Sequence, residues 1–156
     1  MWGMEASVRR AAPGDAAQVA RLLNDFNTEF GEPSPEVEVL AARVRVLLEN
    51  GEITALVGGD GPDGLAVIRL RPWLWADALD AYLEELYVAS GRRRQGLGRA
   101  LLEAAMAVAR EAGAAHMDLA TSVDDTAARG LYESCGFTNR EQPPDGPVML
   151  FYEREL

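Results

Sequence analysis

Seven consecutive residues, Arg93-Arg94-Gln95-Gly96-Leu97-Gly98-Arg99, put three arginines and two glycines at a junction between two unlike segments. Tyr82 to Val88, ahead of them, reads as a strand; Leu97 to Ala112, behind, reads as an amphipathic helix. A strand, a short cationic loop and a helix N-terminus together present unpaired backbone N–H groups and the positive end of a helix dipole to an anion. Gly96 lets a ligand approach the backbone, and Gly98 permits close packing. The Lys-Ser/Thr pair of a Walker A loop is missing, and Leu101 stands where a dinucleotide fingerprint would place its third glycine. The expected chemistry is a grip on a diphosphate without a metal.

The rest of the chain makes this cationic spot unusual. With 25 acidic against 15 basic residues, the 156-residue protein carries a formal charge of −10. Such a field repels nucleic acid and anionic membranes; it would attract a small cationic acceptor, against the simpler reading that the acidity only keeps the protein soluble. One cysteine, Cys135, excludes an intramolecular disulfide. One histidine, His116, leaves no His/Cys cluster of metal-ligand spacing, so no metal is expected. No apolar run approaches the roughly 20 residues that span a bilayer. Met1–Glu5 lacks the basic and apolar regions of a signal peptide, so a cytoplasmic location is expected.

The elements that must position the loop follow from periodicity. Ser7–Ala11 is a short strand, and a helix begins near Asp15 with Val19, Leu22, Leu23 and Phe26 on one face. Ser34-Pro35 is the expected start of a second helix that ends near Glu49. Ile53–Val57 and Gly64–Leu70 form a hairpin around a glycine-rich turn. Leu97, Ala100, Leu101, Ala104, Ala105 and Val108 are the expected buried stripe of the helix behind the loop. Met117–Ala120 is a strand, and Asp124-Asp125-Thr126 caps a fourth helix whose stripe is Ala128, Leu131, Tyr132 and Cys135. Phe137–Glu141 and Val148–Glu153 are the last strands. Residues 1–156 read as one α/β domain: a mixed sheet with helices on both faces.

Three stretches together, Tyr82-Leu83-Glu84-Glu85-Leu86-Tyr87-Val88, Arg93-x-x-Gly96-x-Gly98 and Leu131-Tyr132-Glu133-x-x-Gly136-Phe137, resemble the GCN5-related N-acetyltransferases (GNATs). The resemblance implies the acyl-CoA N-acyltransferase fold, with a mostly antiparallel sheet of about six to seven strands flanked by about four helices. It implies acetyl-CoA as co-substrate and a primary amine as acceptor. Arg93, Arg94, Gln95, Gly96, Leu97, Gly98 and Arg99 would then hold the pyrophosphate. The Leu86-Tyr87-Val88 backbone would pair with the pantetheine arm, and the Leu86 N–H would stabilise the oxyanion. Tyr132 would protonate the leaving thiolate. Asp125 and Ala128 would lie along the cofactor arm, although the family commonly has asparagine where Asp125 stands, and a carboxylate offers no amide N–H.

Attack on a thioester needs a neutral amine, so a base must deprotonate the ammonium. Glu84 and Glu85 are the candidates. Simple alternation places Tyr82, Glu84 and Leu86 on one face, which makes Glu84 the first choice. Trp73, Trp75 and Phe30, with the loop Asn27–Pro35, are candidates for an acceptor wall, against core or homodimer packing. His116 and Cys135 are expected to be structural. Tyr82–Glu85 and the overall acidity resemble polyamine acetyltransferases, and the loop around Arg93 resembles aminoglycoside acetyltransferases. A small cationic amine is therefore the favoured acceptor. The alternatives are a protein N-terminus or lysine, and a non-catalytic acyl-CoA-binding or regulatory module.

Overall fold

The computed structural model describes residues 7–156, which divide into two compact units, one ending at Leu119 and one running Ala120–Leu156. The first unit is built on a five-stranded sheet in the order β1 (Val8–Arg10), β2 (Thr54–Gly58), β3 (Gly64–Pro72), β4 (Leu79–Val88) and β5 (Ala114–Leu119). The first four strands are antiparallel neighbours, and β5 lies parallel to β4. A parallel step needs a crossover, which is α3 (Leu97–Glu111). Two helices, α1 (Ala16–Glu29) and α2 (Val37–Glu49), connect β1 to β2.

The two faces of the sheet bury different helices. Ala55, Val57, Leu65, Val67 and Tyr87 form one core with Ala16, Val19 and Leu22 of α1 and Val44 of α2. α3 covers the other face with Leu97, Leu101, Leu102, Ala105 and Ala109. Gly58 and Gly64 pair across β2 and β3 and admit this helix closely. A Cβ at either would come within 2.7 Å of a Leu97 or Leu101 methyl. Because β2 is covered on both faces, all five of its residues are buried, and its sequence shows no polar alternation.

Several boundaries differ from the sequence expectation. α2 starts at Val37, not near Ser34, because Glu36 is still extended at ψ 141°. β4 starts at Leu79, three residues early, since Asp80 is buried in the strand rather than turning the chain. β5 likewise starts at Ala114.

The second unit contains α4 (Thr126–Ser134). The last two expected strands are not formed: Arg140 and Val148 make an isolated antiparallel bridge, flanked by Glu141 N to Pro147 O at 3.0 Å and Met149 N to Asn139 O at 2.7 Å. Pro143, Pro144 and Pro147 in the connection have no N–H for a ladder, and Gln142 adopts a left-handed φ of 47°. Among the described residues the sheet therefore has five strands, not six to seven, beside the four helices expected. Among the described residues, no helix is long and apolar enough to cross a membrane.

Candidate active site

The register of β4 changes in its middle. Leu83 pairs with Ile68, but the next β3 residue, Val67, pairs with Glu85, so Glu84 is an extra residue and β4 bulges there. Simple alternation fails across such a point. Leu86 joins Leu83 and Ala81 on the α3 face, opposite Ala66, Ile68 and Leu70. Glu85 and Tyr87 join Tyr82 on the face of α1 and α2. The expected grouping of Tyr82, Glu84 and Leu86 is thus corrected by the bulge.

The bulge also re-aims the backbone. Ala89 N–H donates to Asp63 O at 2.8 Å, which sets the phase of the antiparallel ladder. In that phase Glu85 and Tyr87 exchange hydrogen bonds with β3, whereas Leu86 and Val88 turn their N–H and C=O groups toward the β5 side. The β4–β5 ladder ends at Leu83 and Leu119. Leu86 and Val88 thus lie beyond the last β5 pair, as a strand edge that an extended amide chain can join.

The basic loop follows directly. Ser90–Arg92 makes a 3-10 turn, and then Arg94 and Gly96 adopt left-handed φ values of 63° and 84°. Gly96 is the N-cap of α3, with Ala100 N donating to its carbonyl at 3.0 Å. Without a side chain, Gly96 provides no side-chain cap to α3, and a Cβ placed on it would meet no atom within 4 Å. Arg94 is exposed and makes no ion pair among the described residues. Arg92 lies 3.8 Å from the Asp63 carboxylate, yet its Nε is buried without a hydrogen bond. Arg99 lies 3.9 Å from Glu103. Arg93 donates from Nε to the Val88 carbonyl at 3.0 Å and from Nη2 to Glu29, with its guanidinium 5.9 Å above the Tyr87 ring. The open space at Gly96, the helix N-terminus behind it and the exposed Arg94 fit a diphosphate.

The two adjacent glutamates differ. Glu84 accepts from Arg69 Nε at 2.6 Å, so its charge already has a partner. Glu85 is half-buried without an ion pair among the described residues; burial first, and Glu84 second, push its carboxyl up to about 7. Burial also raises the Tyr82 phenol, reinforced by Asp118, Glu84 and Glu85. A carboxyl poised near neutrality is suited to proton abstraction.

The start of β4 is chemically different. Asp80, 5% exposed, accepts from Arg71 Nε at 2.8 Å and contacts His116 Nδ1 at 2.7 Å. Burial works to raise the Asp80 carboxyl, but these two partners outweigh it and hold the carboxyl below its ordinary value. Trp73 stacks on His116 with centroids 5.2 Å apart. Asp80, His116 and Asp118 could offer ligand atoms within 4.8 Å of one another, but Arg71 already supplies a cation there, 3.8 Å from Asp118. Trp73 and Phe30 form no common wall. Phe30 packs on Phe26, which packs on Tyr87 at the far end of β4, and Trp75 is 81% exposed.

The second unit carries the remaining expected residues. Asp125 caps α4, accepting from Ala128 N at 3.0 Å, so these two groups satisfy each other. Tyr132 is half-buried, edge-on to Phe137 at 6.0 Å, and its carbonyl accepts from Phe137 N at 3.0 Å. Cys135 is half-buried, with Ser134 Oγ 4.0 Å from its sulfur. Two participants carried no signal in the sequence: Arg69, which holds Glu84, and Glu29, which holds Arg93. Both contacts cross between elements far apart in the chain, 15 and 64 residues.

The model of the acetyltransferase (GNAT) family matches residues 17–137, and the chain belongs to that family. A crystal structure from Arthrobacter sp. FB24, described as that of an acetyltransferase, is 46% identical, covers 100% of this chain and 99% of its own, and superposes with a TM-score of 0.90. An uncharacterized N-acetyltransferase of Bacillus subtilis (strain 168), YhfO, is 29% identical over 84% of this chain and 89% of its own. Aminoglycoside N(6')-acetyltransferase type 1 of Stenotrophomonas maltophilia is 29% identical over 87% of this chain and 88% of its own. The protein is a GNAT acetyltransferase.

Proposed function

We propose that this acetyltransferase moves an acetyl group from acetyl-CoA to a primary amine of a small cationic acceptor. The observation that carries the reading is the bulge at Glu84, which turns Leu86 and Val88 out beyond the last β5 pair, just ahead of the α3 N-terminus. Acetyl-CoA supplies the acetyl thioester. Arg93 to Arg99 would hold its diphosphate, and the outward groups of Leu86 and Val88 would hold its amide chain. The Leu86 N–H would polarise the thioester carbonyl. Glu85, rather than Glu84, would take the proton from the ammonium, because it has no ion-pair partner among the described residues and its carboxyl sits near 7. Tyr132 is proposed as the proton donor to the thiolate on the strength of the family motif. A phenol near 10 and a thiol near about 8.5 are matched well enough for that transfer.

The net charge of −10 favours a cationic acceptor, and the aminoglycoside acetyltransferase relative points to the same chemical class. Thiol release from acetyl-CoA across monoamines, polyamines, aminoglycosides and peptides tests the reading. Turnover with small polycations supports it. Tight CoA binding with no thiol release on any amine would establish a binding module instead. Tyr132→Phe should lower kcat and leave CoA affinity unchanged; an unchanged kcat removes Tyr132 from the mechanism.

A further inference from the structure

Arg93 ties three parts of the first unit together. Its Nε donates to the Val88 carbonyl at 3.0 Å, its Nη2 donates to Glu29 Oε2, and its guanidinium lies over Tyr87. Glu29 is the last residue of α1, and its other oxygen accepts from the Tyr87 hydroxyl at 3.4 Å. One cation thus joins the end of α1, the re-aimed end of β4 and the phosphate loop.

The consequence is competition. Arg93 belongs to the loop assigned to the diphosphate, and the Val88 carbonyl it holds is assigned to the amide chain of the donor. A multiply charged phosphate is a stronger partner for a guanidinium than one carboxylate. A donor that engages both groups draws Arg93 away from Val88 and from Glu29. Glu29, 29% exposed in its side chain, then loses its cation and keeps the Tyr87 hydroxyl as its donor, a hydroxyl that also feels the charge of Asp25. A surface carboxylate relieved of its partner is open to another cation.

We propose that Glu29 is the docking site for a second ammonium of the acceptor, and that Arg93 blocks it until the donor binds. The acceptor class is then amines with at least two positive charges, one that reacts and one that pairs with Glu29. Donor and acceptor bind cooperatively as a result. This deepens the acceptor reading above and rests on the donor assignment made there.

Calorimetric titration with CoA of the wild type, Glu29→Gln, Arg93→Gln and the double variant tests the latch. Freed from Glu29, Arg93 should bind CoA about threefold to tenfold more tightly in Glu29→Gln. In the Arg93→Gln background, the same Glu29 substitution should change nothing. Glu29→Gln should also raise KM for the best diamine about tenfold and leave its kcat within about twofold, with no change in KM for a monoamine of equal length. Unchanged or weaker CoA binding in folded Glu29→Gln overturns the latch. So does an equal Glu29 effect with and without Arg93. Monoamines turned over as well as diamines overturn the two-cation class. A wild type that fails to bind CoA at all overturns the donor assignment itself, which separates that failure from failure of the latch alone.

Discussion

The two ends of β4 handle a carboxylate in opposite ways. At the start, Asp80 is more deeply buried, yet Arg71 and His116 compensate it and its carboxyl is lowered. Toward the end, Glu85 is only half-buried, has no ion-pair partner among the described residues, has Glu84 as a neighbour and is raised to about 7. Pairing differs in parallel: Leu79–Leu83 is laddered on both sides, whereas Leu86 and Val88 pass the last β5 partner. The same strand carries a laddered, ion-paired start and an end that passes its β5 partner, and the bulge at Glu84 divides them. Burial pushes both carboxyls up; at Asp80 the hydrogen-bonding partners Arg71 and His116 outweigh it, whereas at Glu85 burial and the neighbouring Glu84 act together.

The largest effect expected from this contrast is on turnover. Glu85→Gln should lower kcat/KM by about 10² to 10⁴-fold, the usual contribution of a general base, and remove the rise of rate through pH 7. Glu84→Gln should cost far less. A pH–rate profile of both variants measures this, and equal losses would erase the distinction between the neighbours. Asp80→Asn should cost about 2 kcal/mol of stability in urea unfolding and leave kcat at the wild-type value, because it breaks charged hydrogen bonds remote from the loop. A loss of kcat without loss of stability would make Asp80 part of the chemistry.

Two smaller effects sharpen the comparison. Gly96→Val forces a branched residue into a left-handed conformation and fills the open space above the helix terminus. CoA binding should weaken about tenfold by calorimetry, an effect of about 1.4 kcal/mol. The smallest effect concerns pH and stability. The Glu85 carboxyl is raised on folding from 4.5 to about 7, so the native state holds a proton that the unfolded chain releases. Its contribution is complete below pH 4.5 and fades as pH rises through 7. Glu85→Gln should therefore be more stable than wild type by about 1 kcal/mol at pH 8, after allowance for partial solvent screening, and show no such pH-dependent gain at pH 4. For Asp80 the sign is reversed: its lowered carboxyl contributes above the ordinary carboxylate range and loses that contribution in acid.

Much of this was readable in advance. The loop at Arg93–Arg99, the helix behind it and the capping role of Asp125 depend on contiguous residues, so local spacing declares them. The buried start of β4 was less legible, because aspartate is a poor strand former and only Arg71 and His116 make Asp80 acceptable there. The last two strands were over-read: their apolar residues alternate plausibly, but the prolines between them leave an isolated bridge.

The sequence by itself determined the family motif, the basic loop ahead of α3 and the helices, since each is written within a few turns of chain. Only the tertiary structure decided which glutamate is paired with an arginine and which β4 residues pass the last β5 pair. A bulge is one residue of mismatch between two strands, visible in neither strand alone, and it inverts both faces and hydrogen-bonding phase beyond it. The partners that set each charge, Arg69 for Glu84 and Glu29 for Arg93, arrive from elements whose proximity exists only after the sheet and helices have packed.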